Sequence, residues 1–345
     1  MADDGSDKLP QSDEMIKNRH NSYKVIELLG RGGFGAVFKV EKTPSGRLLA
    51  MKCEIIGQGK MEVLMMDCKV LKGAANIKSP HFCRVLDRGR MDDRFNFLIM
   101  TLVGRNLWDL RMERPDSKFT VSTSLKSAEQ SLMAIEDLHH VGFLHRDIKP
   151  GNFCIGRPDT KDYHTVFMLD FGLCRKFTGN SPGQDLRIPR EKAPFRGTTR
   201  YAPIAALSQE EQSRKDDLEA WMYMVVEWTA GALPWKHLTG KDKPQVLRFK
   251  ELLKEEEDFL QDFLHGCPRR HFSRILVYLY SLTYISIPDY GFVHKCLEHA
   301  MKAHRVNDAE PLDWDPGVEY YGPTHKDREA RIKQTSGTKE SSKDS

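Results

Sequence analysis

The sequence predicts an α+β chain in two parts, a strand-rich N-terminal part carrying one helix and a mainly helical C-terminal part. Five short apolar-rich runs broken by turn residues precede Gly104. Beyond Gly104, apolar residues recur at steps of three and four. The 345 residues, 39% of them hydrophobic, suffice for one large core or two smaller ones.

Residues 1–21 are rich in Asp, Ser, Lys and Asn, and a flexible N-terminal arm is expected there. Residues 22–103 form the first folded part. Runs at 23–29, 36–40 and 48–53 read as three antiparallel strands, and Val63, Met66, Val70 and Leu71 give residues 60–72 a helical face. Further strands at 83–86 and 95–100 complete a five-stranded sheet with one helix. Residues 104–316 form the second part. Leu125, Ala128, Leu132, Ile135 and Leu138 define one long amphipathic helix. The stretch 217–229 is apolar nearly all round, as a central buried helix should be, and helices are expected at 251–263 and 272–282. Lys, Ser, Thr and Glu dominate 317–345, so a disordered polar tail is expected.

Charge and cysteine usage exclude several classes. The net charge of +4 arises from 53 basic and 49 acidic residues interspersed along the chain, with no polybasic tract to suggest a nucleic-acid partner. Seven cysteines, none in a Cys-x-x-Cys pair or at metal-like spacing, point to a reducing cytoplasmic or nuclear compartment. The first 21 residues hold no apolar run that would serve as a signal peptide. The longest apolar stretch, 218–232, carries Glu219 and Glu227 and is shorter than the roughly 18 residues of a membrane span, so no membrane insertion is expected.

Four motifs carry the chemistry. Gly30, Gly32 and Gly35, followed by Val37, satisfy G-x-G-x-x-G-x-V between two strands, where backbone N–H groups can approach phosphates closely. A dinucleotide-binding turn uses the same glycines but leads into a helix, whereas Ala-Val-Phe-Lys-Val here favours a strand. Taken alone, the motif is equally a glycine-rich hairpin without a ligand. Lys52 ends a strand and suits neutralising phosphates, given an acid to hold it; by itself it is a solvated strand Lys. His145-Arg146-Asp147-Ile148-Lys149-Pro150-Gly151-Asn152 packs a proton acceptor, a cation and an amide oxygen into one short loop. Asp170-Phe171-Gly172 places a carboxylate at the end of an apolar strand.

The order and spacing of these motifs resemble those of a eukaryotic protein kinase over about residues 23–315. The resemblance implies a two-lobed fold, ATP and Mg2+ as cofactors, Ser/Thr hydroxyls of proteins as substrates, and a monomer. It implies Asp147 as catalytic base, Lys149 as partner of the transferred phosphoryl group, and Thr198 as a hydrogen-bond partner near Asp147. Asn152 and Asp170 become the metal ligands. Leu29, Gly30, Gly32, Gly35, Val37, Ala50 and Lys52 bind nucleotide, with Met100 as gatekeeper and 101–103, including Val103, as the adenine hinge. Asp217 braces the loop that carries Asp147. Lys149 gives the Ser/Thr form of that loop. Gly104-Arg105-Asn106-Leu107-Trp108-Asp109-Leu110-Arg111 and Asp216-Asp217-Leu218-Glu219 look like the casein kinase 1 superfamily. Leu312-Asp313-Trp314 suggests its tau-tubulin kinase branch.

Three departures stand out. The helix acid that grips Lys52 falls on Asp67 where most kinases have Glu, shorter by roughly 1.5 Å of reach, with Glu62 as the rival on another helix face. A kinase-fold scaffold with little catalysis is the alternative this substitution leaves open. Ala202-Pro203 begins an Ala-Pro-Glu motif whose Glu position is Ala205, and the usual Arg partner falls on Ile287. Arg187, Arg190, Lys192, Arg196, Arg200, Arg214 and Lys215 read equally as a site for acidic or phosphorylated substrates, with Arg200 the residue to test, or as a solvated charged loop.

Overall fold

Alternation along the strands decides the architecture of the first unit. In the computed structural model, which describes residues 6–32, 35–57, 63–178 and 186–340, this unit comprises Met1–Gly104 with Leu169–Gly172. Its strands are β1 (Met15–Lys17), β2 (Ser22–Gly32), β3 (Gly35–Thr43), β4 (Arg47–Ile55), β5 (Val85–Met91) and β6 (Phe95–Thr101). They form one six-stranded antiparallel sheet in the order β1-β2-β3-β4-β6-β5. One face carries Ala36, Phe38, Val40, Leu49, Met51, Cys53, Phe95, Phe97 and Ile99 into a single apolar core. Val37 pairs Lys52 and Gly30, and Ala50 pairs Met100. Cross-strand partners share a face, so these five expected nucleotide residues lie together on the side opposite that core. The helix α1 (Val63–Asn76) starts within the predicted segment, whose first residues 60–62 lie outside the described ones, and runs four residues past Lys72, where that segment was expected to end.

The sixth strand corrects the sequence reading of 1–21 as a flexible arm. Leu9 and Ile16 are buried in the same core as β2 and β3. Arg94 clamps the arm by bonding both oxygens of Glu14, at 2.6 and 3.2 Å. Asn18, Asn21 and Tyr23 all donate to Asp87 Oδ2, at 2.7, 2.8 and 2.5 Å. Two apolar residues in a polar stretch suffice because β2 would otherwise leave an unpaired edge.

The second unit, Arg105–Met168 with Leu173–Ser345, is helical. It contains α2 (Leu107–Met112), α3 (Val121–His140), α4 (Ile204–Leu207), α5 (Arg214–Ala230), α6 (Lys243–Glu255), α7 (Glu257–Phe263), α8 (Arg269–Ser281), α9 (Tyr290–Ala303) and α10 (His325–Glu340). Short strand pairs β7 (Phe143–Leu144) with β10 (Arg175–Lys176) and β8 (Phe153–Ile155) with β9 (Val166–Met168) flank the motif loops. As expected, α5 is buried nearly all round, with Trp221, Tyr223 and Trp228 fully enclosed. The helix expected at 251–263 is instead broken at Glu256, whose extended backbone (φ −121°, ψ 112°) separates α6 from α7.

The expected disorder of 317–345 is also corrected. In α10 the buried Arg328 pairs with Glu136 at 2.8 Å and Asp137 at 2.9 Å, and Arg331 reaches Asp137 at 3.0 Å. Charge complementarity with α3, not apolar periodicity, holds this helix, so its polar composition concealed it. Residues 341–345 lie outside the described ones.

Candidate active site

Within the first unit, β4 brings Lys52 and α1 brings Asp67 to 2.8 Å, and Asp170 Oδ1 lies 3.1 Å from the same ammonium. Burial works against the Lys52 charge, but the two carboxylates outweigh it and hold its pKa above the ordinary value. Asp67 does a second job: its other oxygen accepts the Phe171 backbone N–H at 3.1 Å. Phe171 in turn stacks on Phe82, centroids 5.7 Å apart. The shorter acid therefore reaches Lys52, while Glu62 lies outside the described residues. Asp170 adopts a left-handed backbone, φ +63°. A non-glycine residue in that region is strained, and such strain clusters at functional sites.

The glycine loop divides by reason. At Gly35 a Cβ would stand 1.9 Å from the Cys53 carbonyl oxygen, so packing on β4 demands glycine. At Gly30 and Gly32 a Cβ would meet nothing within 4 Å among the described residues. Gly33 and Phe34 lie outside those residues. Leu29 is exposed, Val37, Met100 and Val103 are half-buried, and Ala50 is buried.

Within the second unit, the loop after β7 is fixed from below by Asp217, near the start of α5. Its carboxylate accepts the backbone N–H of His145 at 2.7 Å and of Arg146 at 2.9 Å, and lies 2.9 Å from His139 Nε2. Tyr290 Oη lies 2.6 Å from His139 Nδ1. Burial disfavours the Asp217 charge, yet the His139 contact and the backbone donors hold its pKa below the usual carboxylate value. These bonds hold Arg146 at φ +66°.

Asp147 is thereby presented with its carboxylate satisfied on both oxygens. Lys149 Nζ donates to Oδ2 at 2.7 Å, Thr198 Oγ1 donates to Oδ1 at 2.8 Å, and Asn152 Nδ2 donates to the Asp147 carbonyl at 2.9 Å. Because Asn152 uses its amide nitrogen on Asp147, its hard oxygen is turned to the other side. Gly197, at φ +98°, precedes Thr198, and a Cβ there would stand 2.6 Å from the Arg146 carbonyl oxygen.

The segment after Thr198 is anchored without the Glu–Arg pair. Ala205 is buried and Ile287 is 75% exposed, so neither position makes an ion pair. Glu219 of α5 accepts the Ile204 N–H at 2.8 Å, and the buried ammonium of Lys250 on α6 donates to the carbonyls of Arg200 and Ala202. Lys250 and Glu219 were missed by sequence reasoning; a lysine interrupting the apolar face of α6 was the available signal. The basic segment is largely occupied internally. Arg190 pairs with Glu211 and Lys215 with Asp216. Arg200, the residue singled out for test in the basic segment, is held by Glu227 at 3.0 Å and the Lys236 carbonyl at 3.0 Å.

A strand-held lysine with two carboxylates, and a separate loop carrying a positioned carboxylate, lysine and asparagine, define an ATP-dependent phosphotransferase. Residues 23–303 match the protein kinase domain, and the chain belongs to that family. The serine/threonine-protein kinase spe-6 of Caenorhabditis elegans is 34% identical over 89% of this chain and 79% of its own length. A probable serine/threonine-protein kinase of Dictyostelium discoideum is 34% identical over 87% of this chain and 57% of its own length. Casein kinase I homolog 2 of Schizosaccharomyces pombe is 29% identical over 85% of this chain and 65% of its own length. The sheet and helices described above are those of the two-lobed kinase fold, with six strands in place of the five expected, and the chain is a protein serine/threonine kinase. No helix among the described residues is long and apolar enough to cross a membrane.

Proposed function

We propose that the chain is a catalytically active kinase that transfers the γ-phosphoryl group of ATP to Ser/Thr hydroxyls of proteins. The 2.8 Å Lys52–Asp67 pair carries this reading, because the scaffold alternative rested on Asp67 being too short. Gly30 and Gly32 have no packing reason to be glycine among the described residues, which suits a backbone approached by phosphates. The Asn152 amide oxygen in one unit and the Asp170 carboxylate in the other, whose side chain is 54% exposed, are each hard donors of the kind that Mg2+ takes. Bound Mg2+ supplies neutralisation of charge on the phosphate oxygens.

The hydroxyl oxygen of the substrate forms the new P–O bond as the bond between the γ-phosphorus and its bridging oxygen breaks, releasing ADP. Asp147 takes the hydroxyl proton, and its bonds to Lys149 and Thr198 orient it for that transfer. Lys149, a flexible side chain that donates to Asp147, would turn its ammonium to the oxygens of the transferred phosphoryl group. Lys52 neutralises phosphate charge from β4.

Two finer assignments belong to the same proposal. The Gly104–Arg111 wording and Leu312-Asp313-Trp314 support the tau-tubulin kinase branch. In this chain those residues do structural work. Asn106 caps α2, and Asp313 accepts from the Thr120 backbone N–H and hydroxyl at 2.6 and 2.7 Å. A preference for acidic or phosphorylated protein substrates is supported by the cationic segment that holds Arg187, Lys192 and Arg196.

Phosphotransfer from radiolabelled ATP to a generic acidic protein tests the activity. Asp147→Asn should lower the rate by about 10²- to 10⁴-fold while leaving ATP binding in place. Nucleotide binding by the wild type with no turnover on any protein, in the presence of Mg2+, would establish the scaffold instead.

A further inference from the structure

Three side chains outside the kinase machinery converge from separate helices of the second unit: Glu136 of α3, His294 of α9 and His325 of α10. Their ligand atoms all lie within 4.8 Å of one another. His294 is 4% exposed, and neither of its ring nitrogens has a hydrogen-bond partner. Glu136 Oε2 is likewise buried without one. The two face each other at 3.5 Å, beyond the range of a good N–H···O bond. Buried polar atoms are rarely left so, and several left so together call for a partner the protein chain does not supply.

The spacing suits a metal. Two ligands about 2.1 Å from a tetrahedral zinc ion stand roughly 3.4 Å apart, close to the His294–Glu136 separation. The ligand atom of His325 is within 4.8 Å of the other two, although its ring stacks on His294 with centroids 3.8 Å apart and planes at 20°, so ligating the same ion requires the His325 ring to turn out of this stack. Arg328 holds the other oxygen of Glu136 at 2.8 Å, which fixes the carboxylate with Oε2 turned to the imidazoles. Its charge is matched by Asp137 at 2.9 Å, and Glu329 adds negative potential near both rings. Burial keeps both imidazoles in the neutral form that ligates.

We propose that Glu136, His294 and His325 form a divalent-metal site of the zinc class, which fastens α10 to α3 and α9. Two imidazoles and one carboxylate are borderline donors that prefer zinc over magnesium or calcium, and a fourth position is left for water. The site is independent of the phosphotransfer reading, and its test does not use activity.

The full chain, stripped with a chelator and then freed of it, is titrated with Zn2+ against a chromophoric competitor. Co2+ is used in parallel as a spectroscopic probe. The expected result is uptake of about one Zn2+ at micromolar or lower concentration, with the intense visible absorption of four-coordinate Co2+. His325→Gln and Glu136→Gln should each weaken uptake by about tenfold or more. His325 is half-buried, so its variant carries the test if Glu136→Gln fails to fold after Arg328 loses its partner. Absence of uptake at micromolar Zn2+, or uptake unchanged in His325→Gln, would overturn the proposal and assign any binding to other histidines.

Discussion

Asp67 shows how one side chain can answer for a sequence departure. Its two oxygens divide between the Lys52 ammonium and the Phe171 N–H, so a shorter acid is suited to a helix set close to β4. Asp67→Asn keeps an acceptor for Phe171 and removes the charge. A charge-assisted bond contributes about 1.5–3 kcal/mol, so kcat/KM should fall by about 10- to 100-fold with little change in Tm. Steady-state kinetics beside a melting curve separates the two effects, and a large fall in Tm without kinetic loss would make Asp67 a purely structural residue. The gathering of Asp147, Lys149 and Asn152 in one loop was legible because their motif is contiguous. The contacts of His139, Tyr290, Glu219 and Lys250 were not, because each acts across more than ten residues of sequence. The surroundings of Arg200 were hidden for the converse reason: a run of cations looks solvated until Glu227, a buried acid in an apolar helix, is brought beside it.

Among the elements, long periodic ones were legible and short or charge-held ones were not. The helices α3 and α5 follow from apolar spacing alone. The strand β1 is three residues long with a single buried side chain, Ile16, which no periodicity can reveal. Its attachment is electrostatic at both ends and should loosen in acid. The Arg94 hydrogen bond holds the Glu14 pKa below its usual 4.5, and bonds from Tyr23, Asn18 and Asn21 overcome burial to do the same for Asp87, usually 3.8. A carboxylate depressed in the folded state contributes stability above its unfolded pKa and loses it as pH falls through the folded value. Hydrogen exchange at residues 13–18 should therefore quicken relative to the rest of the sheet below about pH 4.5. Arg94→Gln should produce the same change at neutral pH. Uniform exchange across all strands in acid would contradict this.

At the scale of the whole chain, the thiols report on folding. Of the seven cysteines, Cys53, Cys83, Cys154, Cys174 and Cys296 are buried. Burial pushes the thiol of Cys83 up to about 11 and that of Cys267 to about 12, so thiolate is scarce in the native state. An aromatic disulfide reagent at neutral pH should label no more than Cys68 and Cys267 promptly, with the rest appearing only at the rate of unfolding. Prompt labelling of five or more would show that the cores open readily. The fold class was legible from composition and periodicity, whereas both ends were assigned to solvent. Family boundaries repeat that omission. A fragment cut to the matched stretch, 23–303, would keep every residue of the four chemical motifs yet discard Leu9, Ile16 and Glu14 from one unit and Arg328 and Arg331 from the other. It would expose the outer face of the sheet and leave Asp137 buried without those two guanidinium partners. Such a fragment should aggregate where residues 6–340 remain dispersed, and a poor yield from it would describe the trimming rather than the enzyme.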